Sequence, residues 1–69
     1  MRYVMIIEPG ERNYSAYLPD LPGCIATGTT IEEVRQRMRE AIEIHLEGMR
    51  ADFLPIPKPS TLADYVEAA

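Results

Sequence analysis

Leu18-Pro19-Asp20-Leu21-Pro22-Gly23-Cys24 is the stretch on which the chain turns. Proline has no N–H to donate, so a strand arriving at Leu18 stops pairing at Pro19. Pro22-Gly23 suits the two central positions of a type II turn, because proline presets φ and glycine accepts φ > 0. The stretch is therefore a tight connection between two neighbouring antiparallel strands. Upstream, residues 14–18 alternate, with Tyr14, Ala16 and Leu18 on one face. Downstream, residues 24–28 supply a short strand.

Further out, Pro9 and Gly10 begin a charged hairpin loop over residues 9–13. Before it, residues 2–8 read as the first strand, since Tyr3, Val4, Met5, Ile6 and Ile7 are nearly all strand formers. Tyr3, Met5 and Ile7 make one apolar face, and Val4 and Ile6 the other. That pattern predicts a central strand covered on both sides. One face is expected to meet a helix, and the other a partner or the chain's own tail.

A helix is predicted over residues 31–50. Thr30 and Glu33 form a capping box, and Glu32 and Glu33 sit at the positive end of the helix dipole. Ile31, Val34, Met38, Ala41, Ile42, His45 and Met49 fall on one face at helical spacing. Glu33–Arg37 and Arg39–Glu43 are i,i+4 pairs on the wet side. Gly48 loosens the last turn, and the helix ends ahead of Pro55. Twenty helical residues span roughly 30 Å and a six-residue strand about 20 Å, so the helix should overhang the sheet. Ile44 points away from the apolar stripe and Leu46 lies at its edge. Each is either a contact for another chain or an ordinary exposed apolar residue.

Pro55, Pro57 and Pro59 make residues 54–59 a stiff, extended connector. The tail, residues 60–69, has two readings. Ser60 caps a short helix in one; Asp64-Tyr65-Val66-Glu67 adds a fourth strand in the other. The fold class is α+β: a three-stranded antiparallel sheet with one long helix on one face, in a single domain over residues 1–69.

A 69-residue chain builds only a small core. Cys24 and His45 are its single cysteine and histidine, so neither a disulfide nor a Cys/His metal set forms within one chain. Support from a second subunit is what remains, which predicts a homo-oligomer. The formal net charge of −4 and the single lysine, Lys58, weigh against direct nucleic-acid binding and suit a basic partner. The N-terminus lacks the pattern of a leader peptide, and no apolar run is long enough for a membrane helix. A lone cysteine fits the reducing cytoplasm.

Little here speaks for catalysis. Ser15 and Ser60 lack the glycine context of a hydrolase nucleophile. Gly23 and Gly28 belong to no phosphate loop. Cys24 has no cationic neighbour to lower its pKa. No catalytic, cofactor-binding or metal-ligating residue is expected. Asp20, between two prolines, either closes its own turn or meets a partner. The candidate partner or oligomer contacts are Asp20, Leu21, Ile44, Leu46 and Met49.

The assembled pattern resembles the HicB-like antitoxin family. The likeness runs from about Tyr3 to Pro59. It rests on Tyr14, Tyr17 and the Leu18–Cys24 stretch, on Thr27-Gly28-Thr29-Thr30 and Glu32-Glu33 opening a helix, and on Ala41-Ile42, Leu46 and Pro55-Ile56-Pro57. The resemblance implies a partial ribonuclease-H-like fold in the order β-β-β-α-β, its fourth strand beside the first. It also implies a cytoplasmic antitoxin that binds a small basic ribonuclease of the HicA type and blocks its catalytic surface. Members of the family usually carry a C-terminal DNA-binding domain. This chain stops at Ala69, so protein binding without DNA binding is the expectation. The alternative is a structural or oligomerisation module of the same fold with no toxin.

Overall fold

The computed structural model describes residues 1–69. Its elements run β1 (Ile6–Pro9), β2 (Tyr14–Tyr17), β3 (Ile25–Gly28) and α1 (Ile31–Ala51). The three strands form one antiparallel sheet in the order β1-β2-β3, and α1 covers one face. Ile7 pairs with Ala16 and Ala16 with Ala26, so these three share the helix-facing side. Ala16, Leu18, Leu21, Cys24, Ala26, Val34 and Met38 make the buried core.

The first strand departs from expectation in two ways. It is an edge strand, with β2 central, and its ladder begins at Ile6 rather than residue 2. The register explains the second point. Ile6 pairs with Tyr17, so Met5 lies opposite Leu18 and Val4 opposite Pro19, where pairing cannot continue. The apolar run over 3–5 is real but serves another purpose, packing Tyr3 and Met5 against the core beneath the helix. The second and third strands are each one residue shorter than expected, 14–17 and 25–28.

Leu18 to Cys24 folds as two consecutive turns. The Leu21 N–H donates to the Leu18 carbonyl, and the Cys24 N–H to the Leu21 carbonyl, both at 3.2 Å. Cys24 is thereby used up in closing the turn, which is why β3 starts at Ile25. Gly23 holds φ +87°, as a type II turn requires.

At the start of α1, the Glu33 N–H donates to Thr30 Oγ1 at 3.0 Å. The reciprocal bond comes from the Thr29 N–H rather than that of Thr30, to Glu33 Oε1 at 3.2 Å. Arg37 pairs with Glu33 at 3.2 Å and donates to the Thr27 carbonyl at 2.9 Å, tying α1 to β3. The expected Arg39–Glu43 pair does not form; Arg39 donates to Gln36 Oε1 at 3.4 Å. The far end is a Schellman motif. Leu54 N–H donates to the Met49 carbonyl (2.9 Å) and Phe53 N–H to the Arg50 carbonyl (3.1 Å). Phe53 takes the left-handed position, φ +55°, that glycine usually fills.

The 21 residues of α1 span about 32 Å and a four-residue strand about 13 Å. The overhang is therefore longer than expected, and the molecule measures 47 × 26 × 16 Å. Residues 1–5 and the proline connector lie along the overhang: the Tyr3 hydroxyl donates to the Pro57 carbonyl at 2.5 Å. Beyond Thr61 the chain forms neither helix nor strand. Ser60 caps nothing, because its N–H and hydroxyl are bound to Asp20. Residues 62–66 pair with no strand.

Candidate functional site

Asp20 does not close its own turn; its carboxylate is engaged by Ser60 and Thr61 of the same chain. Its Oδ2 accepts from the Ser60 and Thr61 N–H groups at 2.9 and 2.8 Å. Its Oδ1 accepts from the Thr61 and Ser60 hydroxyls at 2.7 and 3.2 Å. Four donors on one carboxylate hold its pKa down at about 2, the Thr61 backbone N–H contributing most. Asp20 is thus a clamp on the returning chain. Nothing local in the sequence signals a bond across forty residues.

Leu21 is fully buried and has no surface to offer a partner. Proline turns on either side of it point its side chain under the helix. Leu46 and Met49 are half-buried against the core. Ile44 alone among the candidate contacts is freely presented, at 72% exposure.

The helix sorts its charges by face. Glu40 and Glu47 lie one turn before and after Ile44 on the same face, and both are exposed. Ile44 is therefore an apolar point in an acidic field. On the opposite flank, Arg35, Arg39 and Arg50 look onto a groove of about 810 Å³ between α1 and residues 1–5. Arg2 completes its rim. Tyr3, Met5, Met38, Ile42 and Leu46 form its apolar floor, and no lining residue is acidic. The sequence shows the arginines only as members of a mixed charge run. Seeing them as a rim requires knowing that residues 1–5 leave the ladder.

The sheet face away from α1 also carries apolar groups. Ile6, Tyr17 and Ile25 are cross-strand neighbours in one row, and Ile25 is 70% exposed. The sulfur of Cys24 is buried, 3.7 Å from that of Met38, and burial pushes the thiol pKa up. His45 is half-buried beside the Gly23 turn. No three His, Cys, Asp or Glu side chains converge as a metal site would need, and no helix is long and apolar enough to cross a membrane.

The family model described as "HicB_like antitoxin of bacterial toxin-antitoxin system" matches residues 3–69, and the chain belongs to that family, which is one of antitoxins rather than enzymes. A 14.9 kDa protein from the rep-hol intergenic region of Haemophilus phage HP1 is 36% identical over 66 residues. The alignment covers 96% of this chain and 50% of the phage protein, so the chain spans half that relative's length. A UPF0150 protein of Synechocystis is 39% identical over 57 residues, 81% of this chain and 72% of its own. Among solved structures, a chain of a HicA3 and HicB3 toxin-antitoxin complex superposes with TM-score 0.73 at 27% identity. That match covers 86% of this chain and 69% of the other.

Proposed function

We propose that this protein neutralises a small basic ribonuclease of the HicA type in the cytoplasm by covering the toxin's catalytic surface. The observation that carries this reading is the likeness to a chain of the HicA3 and HicB3 complex, at TM-score 0.73 over 86% of the molecule. The acidic face around Ile44 supports it and gives a mechanism. A ribonuclease needs cationic groups to hold phosphates. Glu40 and Glu47 present carboxylates to the same groups and speed the encounter. Ile44 is the apolar anchor at the centre. The antitoxin itself makes no direct contact with nucleic acid in this scheme. Asp20 contributes by holding the tail, and Leu46 and Met49 by supporting the helix from beneath.

The test is capture of a HicA-type ribonuclease by the wild type and by Ile44→Glu and Glu40→Lys/Glu47→Lys variants. All three changed residues are exposed, so melting temperatures should stay put. Each variant is expected to bind at least tenfold more weakly, and wild-type binding to weaken as salt rises. Undiminished capture by all variants would remove the Ile44 face from the interface.

Self-association belongs to the same reading. The Ile6–Tyr17–Ile25 row and the tail leave apolar surface open on a protomer with a small core. A structural module with no toxin would show self-association alone.

A further inference from the structure

We infer that residues 62–67 of one copy dock in the arginine-rimmed groove of a second copy, in a reciprocal two-fold exchange. This deepens the self-association proposed above by naming its two surfaces, and it does not depend on toxin binding.

The groove has an apolar floor and a wholly cationic rim of Arg2, Arg35, Arg39 and Arg50, in a chain whose net charge is −4. None of these four guanidinium groups forms an ion pair within the protomer. The occupant it fits is extended, apolar and acidic. Residues 62–67, Leu-Ala-Asp-Tyr-Val-Glu, have that composition and contain no cation. They are also unemployed: Leu62, Tyr65 and Val66 are 93, 98 and 92% exposed. Apolar side chains so fully hydrated gain by burial, and Asp64 and Glu67 supply the counter-charge.

The tail does not enter its own groove. Thr61 is fixed to Asp20 by its N–H and hydroxyl, and the chain leaves that clamp with its side chains in solvent. The clamp gives the tail a defined exit, so less is lost in ordering it on a second copy. A two-fold axis then lets each tail fill the other's groove, and the contact closes at a dimer.

The experiment uses the full chain and light scattering at micromolar concentration. The wild type is expected to be dimeric. A groove variant, Arg35→Glu/Arg39→Glu, and a tail variant, Asp64→Arg/Glu67→Arg, should each be monomeric with an unchanged far-UV helical signal. The tail positions are fully exposed in the protomer, so the second variant reads the interface without disturbing the fold. Mixing the two variants should restore a dimer, because an acidic groove then meets a basic tail and a basic groove an acidic tail. A tail folded onto its own groove gives no such rescue. A monomeric wild type overturns self-association and this inference together. A dimeric wild type whose two variants also remain dimeric overturns the inference alone, as does a mixture of folded monomers that stays monomeric.

Discussion

Gly23 holds φ +87° at the second central position of its turn. A side chain there has room: a Cβ would sit 3.5 Å from His45 Cε1, an ordinary contact. The obstacle is the backbone. Gly23→Val should destabilise by more than about 1 kcal/mol, because β-branching disfavours positive φ. An unchanged melting temperature would contradict the turn. The dipeptide Pro22-Gly23 made this position legible in sequence, since both residues constrain φ locally. Asp20 was not legible, since its partners Ser60 and Thr61 are distant in the chain. Its carboxyl titrates at about 2 when clamped, against an ordinary 3.8 when released. The depressed value means the clamp is fully formed above pH 3.8 and lost as pH falls through about 2. Protection factors of the Ser60 and Thr61 amides, taken relative to intrinsic exchange, should therefore fall as pH drops from 3.8 through about 2, while those of β2 hold. Asp20→Asn should remove that acid step; protection of the two amides that holds unchanged well below pH 2 would sink the clamp.

At the scale of elements, glycine and alanine report two different things. The sheet can approach α1 closely because β3 presents Ala26 and Gly28. A Cβ on Gly28 would lie 3.0 Å from the Val34 N and 3.1 Å from Val34 Cγ2. Gly28→Ala should push β3 and α1 apart and destabilise by about 1–3 kcal/mol. Gly48 is the opposite case. Nothing lies within 4 Å of a Cβ there, and it is helical. Gly48→Ala should stabilise by about 1 kcal/mol. Chemical denaturation of the two variants checks both signs. The helix was readable almost to the residue because its cap and stripe are local and mutually consistent. The first strand is an edge strand although its sequence reads as central, because period-two apolarity marks burial on two sides, not the number of hydrogen-bonded neighbours. Residues 3–5 are covered by the helix overhang and the connector, so their pattern is a strand's although their pairing is not. The tail was ambiguous for a related reason. Its composition suits burial, but nothing in the protomer buries it.

For the whole molecule, the instructive quantity is the arrangement of charge rather than its sum. A net −4 conceals a helix with glutamates around Ile44 on one flank and arginines over a groove on the other. On the proposed readings the two flanks take different partners, a basic protein and an acidic segment, and one is expected not to displace the other. The chain belongs to the HicB-like antitoxin family, with residues 3–69 matched, and a toxin is the partner we propose for the first flank. In the proposed function, occupying the toxin stops its chemistry. RNA cleavage by a HicA-type ribonuclease, measured as this protein is titrated in, tests it most directly. Cleavage should fall to background at a stoichiometric ratio in the wild type and persist at that ratio with Ile44→Glu. Undiminished RNA cleavage at excess wild-type protein would contradict the account.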